Sequence, residues 1–373
     1  MDLLQNVHFL LDMGRGEMLI RKKIGRWGFM KTYFKVALVA MVGTLFTASL
    51  ALAQQAQQQK QWTFDAEALF LHRNATKGVP VVKTTDTSRL VLGTNNLKFG
   101  FRPGARFTLG YHPDPSNTVE AVYFGLQQFR ASASARCPSN NCLTTVFAEN
   151  GSGFFNFDDI SDGVSEGSPL IRIKYESRLH NVELNYKHHF SPWGNFTPTL
   201  LTGFRFMSVP ERFNITAVGE DCCIGSSPSI ADYKIKTTNY LFGVQIGGDG
   251  TYRFGPSFDV GLRAKVGLFA NRARQRTQYC SVDSPPNDCS DENFRGRSSR
   301  TGAAGVAEAG LFATWNLHQN VALTAGYQIL YIAGLALAPE QMATSNSQGA
   351  LSQLNNSGSA FYHGPSVGVK VGW

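Results

Sequence analysis

The chain has 373 residues, of which only 17% are charged; it contains 37 glycines and 12% aromatic residues, and its formal net charge is +8. Beyond one apolar run near the N-terminus, no segment approaches the roughly 18 consecutive apolar residues of a membrane helix, which argues against a helical membrane protein. The length would suit two average domains, but it also suits one large all-β barrel.

The N-terminal run, "MKTYFKVALVAMVGTLFTASLALAQQ", places basic Lys31 and Lys35 before an apolar stretch and ends in Ala51-Leu52-Ala53. This is the tripartite form of a secretory signal peptide, with cleavage expected after Ala53. Residues 1–53 are therefore predicted to be a cleaved leader and residues 54–373 the mature domain; Met1 and Met30 both remain candidate starts. The leader carries seven basic and three acidic residues, so its loss halves the net charge from +8 to +4. The remaining basic residues are scattered, and a nucleic-acid partner is not expected.

The mature chain is dominated by period-two alternation. In "WTFDAEALF", Trp62, Phe64, Ala66, Ala68 and Phe70 share one face, while Thr63, Asp65 and Glu67 share the other. Phe258, Val260, Leu262, Ala264, Val266 and Leu268 likewise oppose Asp259, Gly261, Arg263 and Lys265. Ten such strands are predicted, near 61–72, 98–111, 118–130, 170–189, 196–208, 238–253, 257–271, 302–315, 320–333 and 360–373. The fourth changes face around Leu179, which suggests a β-bulge. A further hairpin in "VPVVKTTDTSRLVLG" would raise the count to twelve.

Connections alternate between long segments (73–97, 131–169, 209–237, 272–301, 334–359) and short turns such as "HPDPSN", "SPWGN", "FGPS" and "NLHQN". That asymmetry belongs to a closed antiparallel transmembrane β-barrel of 10 to 12 strands, with periplasmic turns and extracellular loops. A secreted soluble β-sandwich is the weaker alternative. Trp62, Trp193, Trp315 and Trp373 all fall at the periplasmic end of this topology, as a membrane girdle requires. Val367, Val369, Val371 and Trp373 of the closing strand then face lipid.

With apolar faces toward lipid, the charged faces line the lumen. The candidates are Arg102, Arg106, Arg205, Arg263, Lys265, Glu67, Glu120 and Glu308, together with Asp65, Arg172, Lys174 and Asp259. Such a set could line a water-filled pore or could fill a narrow barrel with salt bridges, since barrels of about eight strands are already packed by side chains.

Cys137 and Cys142, and Cys280 and Cys289, read as local disulfides stapling loops of an exported protein; the partners of the adjacent Cys222 and Cys223 are left open. Neither a GxSxG elbow nor an HExxH site is present, so no catalytic residue, metal or cofactor is expected. His188 and His189 sit beside a periplasmic turn and suit an interfacial role. "DDISDGVSEGSP" lacks calcium-loop spacing and reads as a solvated acidic loop.

Several stretches resemble the outer-membrane β-barrel porin families of Gram-negative bacteria, in particular beta-barrel porin seven: "FDAEALFLHR", "SRLHNVELNYKHHF", "LTGFRFMSVPERF", "TTNYLFGVQIGG" and "GLALAPEQ". The resemblance implies a bacterial outer-membrane barrel and offers no catalytic residues. It also implies that the aromatic C-terminus is read by the outer-membrane assembly machinery. The leading expectation is passive passage of small hydrophilic solutes. The alternative is a non-conducting barrel whose stapled loops serve adhesion or envelope structure. Lipid and the assembly machinery are the expected partners, and a homo-oligomer is left open because trimers leave no clear sequence mark.

Overall fold

A computed structural model describes residues 61–74, 78–84, 87–136, 143–146, 170–218, 230–282, 294–342 and 353–373. The leader, the acidic stretch 158–169 and Cys137, Cys142, Cys222, Cys223 and Cys289 lie outside them. Thirteen strands are described: β1 (Trp62–Arg73), β2 (Pro80–Thr84), β3 (Leu90–Gly93), β4 (Arg102–Asp114), β5 (Asn117–Arg136), β6 (Leu143–Thr145), β7 (Leu170–His189), β8 (Phe196–Val218), β9 (Ile230–Phe254), β10 (Phe258–Val282), β11 (Phe294–His318), β12 (Val321–Leu335) and β13 (Gly358–Gly372).

Ten of these close into an antiparallel barrel in which β1 pairs with β4 on one side and β13 on the other. The closing register runs from Thr63 opposite Gly372 to Arg73 opposite Tyr362. Closure leaves no strand edge, the condition for crossing a bilayer with strands, because hydrocarbon cannot satisfy free backbone groups. The hairpin in "VPVVKTTDTSRLVLG" does form, as β2 and β3, but it pairs with β6 in a separate three-stranded sheet. Its Val81, Val82 and Leu92 are buried in the same core cluster as residues of the barrel strands. The barrel therefore has ten strands, not twelve.

The periplasmic turns follow from their residues. Gly194 and Gly255 supply the positive φ of "SPWGN" and "FGPS" (63° and 67°). In "HPDPSN" the exposed Asp114 carboxylate accepts the Asn117 side-chain amide (2.8 and 3.0 Å) and the Ser116 N–H (2.8 Å), which hold its carboxyl below the ordinary value.

At the other end, several strands run well past their predicted limits. β8 continues to Val218, β9 starts at Ile230, β10 continues to Val282 and β11 starts at Phe294, so most of 209–237 and 272–301 is wall rather than loop. In this extension the polarity of the two faces is exchanged while the pleat is not. Along β7, Asn181, Glu183, Asn185 and Lys187 point inward below Leu179, and Ile171, Ile173 and Tyr175 point inward above it. The register with β8 continues unbroken in phase, so the face change expected at Leu179 is not a bulge of β7; the irregularity lies in β5, between Leu126 and Phe129. Arg172 and Lys174, expected in the lumen, face outward. Above the lipid the outside is wet, so charges move out and apolar residues move in.

Candidate functional site

The lumen divides into a charged layer within the membrane portion and an apolar layer above it. In the charged layer, Arg106 lies 3.2 Å from Glu67 and 3.3 Å from Glu308, and donates to Gln328 at 2.6 Å. Arg205 Nη1 is 3.0 Å from Glu308 Oε2, a charge contact without hydrogen-bond alignment. Its Nε donates to Asn181 at 2.6 Å and lies 3.5 Å from Glu183. Lys265 closes the group, 3.0 Å from Glu183 and 3.2 Å from Glu308. Gln245 bridges, donating to Glu183 and Asn185 at 2.8 and 2.7 Å.

A second group adjoins the first: Lys187 contacts Glu120 (2.7 Å) and Asp249 (3.1 Å), and Arg263 contacts Asp249 (2.7 Å). Cations and carboxylates are equal in number in each group, so neither group carries a formal net charge. The Arg205 and Glu183 side chains are each 1% exposed. Cavities of about 90 and 110 Å³ remain, lined in part by Asp65, Lys370 and His112. Each has room for several water molecules.

Of the residues singled out in sequence, Glu67, Arg106, Arg205, Lys265 and Glu308 meet in one network, and Glu120 and Arg263 in the next. Asp259 lies at the periplasmic rim, 3.2 Å from Arg253. Arg102 joins neither group; it opens β4, and its guanidinium donates to the Arg130 carbonyl at 3.4 Å. Glu183, Gln245, Asn185, Lys187 and Asp249 escaped sequence reasoning. Glu183 and Lys187 were reachable by following the alternation down β7, on the face of Asn181 and Asn185. His189 and His112 both hydrogen-bond Thr118 at 2.8 Å, at the periplasmic end of the lumen. His188 contacts Asn117 at 2.9 Å.

Trp62, tilted against Tyr111 with ring centres 4.7 Å apart, and Trp315, opposite Phe258, lie at the end of the barrel that carries the Trp193 turn; each is exposed. Trp373, next after β13, is also exposed. Cys280 sits near the outer end of β10, its backbone opposite Asp232.

Above the charged layer, Leu69, Leu71, Phe129, Tyr175, Phe213, Ile235 and Tyr362 fill the interior. Arg73 is buried among them, 2.7 Å from Glu211 with both side chains fully buried, and within 5.8 Å of the Phe99, Tyr175 and Tyr362 ring centres. The chain turns inward at Gly334, at the end of β12, whose φ of 82° and close approach to the Ala303 carbonyl leave no room for a Cβ. It carries buried Leu335, Ala336, Leu337 and Ala338 into this core. Its backbone groups find partners there: Ala336 exchanges hydrogen bonds with Asn239 (2.8 and 3.0 Å), Ala338 N–H donates to Glu211 (3.0 Å), and Asn271 donates to Gly334 (2.7 Å). The motif "GLALAPEQ" is thus an internal stopper.

A closed antiparallel ring with an apolar outer band and a polar interior defines an outer-membrane β-barrel. More particularly, the chain belongs to the family described as "Putative beta barrel porin-7 (BBP7)", whose model matches residues 64–360, and it resides in the bacterial outer membrane. Among solved structures it is similar to the outer membrane protease OmpT from Escherichia coli, with 11% identity, coverage of 86% of this chain and 99% of that one, and a TM-score of 0.47. It is also similar to the translocator domain of the autotransporter NalP from Neisseria meningitidis, with 10% identity, coverage of 90% and 96%, and a TM-score of 0.34. Compared by sequence with curated proteins, the chain finds no match.

Proposed function

We propose that this member of the porin family is a closed barrel that passes no solute in the state described, and that it acts at the cell surface through its tall extracellular wall and loops. One observation carries the reading: the lumen is occupied across two layers, by the Arg205–Glu183–Lys265–Glu308 network and by the apolar core around the 334–341 stopper. A permanently open pore would need water-filled space that cavities near 100 Å³ do not supply. The reading involves no catalytic step. Its partners are the surrounding lipid and, for insertion, the assembly machinery that engages the aromatic C-terminus.

A second reading, passage of small hydrophilic solutes once the stopper withdraws, is favoured by the stopper itself, a segment of a single connection held by hydrogen bonds and apolar contacts. Single-channel recording in a planar bilayer separates the two. Folding is checked first by resistance to SDS until boiling, with a shift in gel mobility. Folded wild-type protein is expected to show no discrete conductance; steady unit openings would overturn the closed-barrel reading in favour of the porin.

A further inference from the structure

On one side of the barrel the outer face above the apolar band is basic. Arg130, Glu176, Arg212, Lys236, Arg276 and Arg297 stand directly opposite one another across β5, β7, β8, β9, β10 and β11, forming one continuous rung. Glu176 is already engaged by Arg130 at 2.9 Å and Lys174 at 2.8 Å. Among the described residues, no carboxylate lies within ion-pair distance of Arg212, Lys236, Arg276 or Arg297. Like charges directly opposite on neighbouring strands destabilise a sheet, so folding gives no reason for four in succession. Beside the rung, a recess of about 470 Å³ is lined by five cations, Arg130, Lys174, Arg178, Arg212 and Lys236, against two carboxylates, Glu176 and Glu211.

The height of the rung is set by the strand. On β10 the outward residues from Phe258 to Ala270 are apolar, and the next three are Arg272, Arg274 and Arg276. At about 3.4 Å per residue and a tilt of about 40°, the apolar stretch rises about 30 Å, the thickness of the hydrocarbon core. On β10 Arg272 thus enters the headgroup level of the outer leaflet and Arg276 stands about 16 Å above Ala270; because a rung across strands tilted by about 40° climbs about 3 Å per strand, the row rises through the headgroup region from β7 toward β11. The feature is one-sided. On the opposite wall the upper outward positions hold His72, Phe101, Phe361 and His363, packed ring to ring at 5.3 to 6.3 Å.

We propose that this rung and its recess are a docking site for the phosphorylated headgroup of an outer-leaflet lipid. Guanidinium groups bind phosphate oxygens through two parallel N–H bonds. Four cations on adjacent strands spaced about 4.8 Å apart span about 14 Å, enough for a headgroup that bears more than one phosphate. A lipid is favoured over a soluble polyanion because it is confined to the leaflet through whose headgroup region the rung rises. The proposal does not depend on whether the lumen conducts.

The test uses the folded barrel in phosphatidylcholine nanodiscs containing diphosphorylated lipid A, fully dephosphorylated lipid A, or neither, with retained lipid counted by native mass spectrometry. Wild type should retain the diphosphorylated form about tenfold better or more. The triple variant R212Q/K236Q/R276Q removes mutual repulsion and should still fold, as checked by heat-modified gel mobility, yet lose that preference. R253Q, a charge removed at the periplasmic rim, should keep it. Equal retention of the two lipids by wild type, or a preference that survives in the triple variant, would overturn the proposal. So would soluble polyphosphate binding to the barrel in detergent as tightly as lipid A does, which would assign the rung to a free polyanion.

Discussion

Arg205 joins the two most buried carboxylates of the charged layer, Glu183 and Glu308, and its side chain is 1% exposed. A charge so placed is tolerable only while its partners remain, because the desolvation cost of each ion is several kcal/mol. Substituting Arg205→Leu leaves both carboxylates to share Lys265 with the more peripheral Arg106. Urea unfolding from lipid vesicles should show a loss of about 3–5 kcal/mol, the cost of breaking a buried pair on one side. Glu67→Gln removes a carboxylate at the wetter margin of the same network, whose side chain is 14% exposed. It should cost about 1 kcal/mol or less. Losses of equal size in the two variants would contradict the view that burial sets the strength of this network. The sequence marked Arg205 and Glu308 by their place in alternating strands. It did not mark Gln245 or Asn185 as their companions, because a neutral amide on a polar face looks the same whether it meets water or a buried carboxylate.

The connection between β12 and β13 shows what an element can conceal. Period-two reading places the strand ends correctly and leaves 334–359 as a long loop, although its first part is buried inside the barrel. A segment that is enclosed without a repeat has no pattern to read, and the group that holds it, Asn239, lies 97 residues away on β9. Asn239→Ala removes both hydrogen bonds to Ala336 and should cost about 1–3 kcal/mol. Hydrogen–deuterium exchange should speed up at the Ala336 and Ala338 amides while the barrel strands keep their protection. Unchanged exchange there would mean that apolar packing alone retains the stopper. Strand lengths were illegible for a related reason. The expected alternation is apolar-out, a rule that holds only where lipid is the outer solvent; Ile215, Ile235 and Ala273 alternate in the opposite sense and lie just beyond the predicted strand limits.

For the whole molecule, the exchange of polarity along β10 fixes where the bilayer ends, and that position can be measured. Leu262, Val266 and Leu268 face outward and are more than half exposed, whereas Arg272 and Arg274 occupy the same face two and three pleat repeats above Leu268. If lipid covers the lower stretch, an arginine placed there meets hydrocarbon; if water does, the same substitution is nearly neutral. Leu262→Arg and Val266→Arg should each cost about 2–4 kcal/mol, falling toward zero for Ala270→Arg, which approaches the interface. The costs come from urea unfolding in phospholipid vesicles, with the same variants in micelles as a comparison. In the reverse direction, Arg274→Leu should leave membrane-embedded stability within about 0.5 kcal/mol, since an exposed surface change away from a packed core has little effect. A flat profile along the strand would place the wall in water over its full length and remove the membrane band. A peak shifted upward toward Arg274 would instead raise the bilayer and bury the basic rung, leaving its four unpaired cations in hydrocarbon, an arrangement the desolvation cost of each cation forbids.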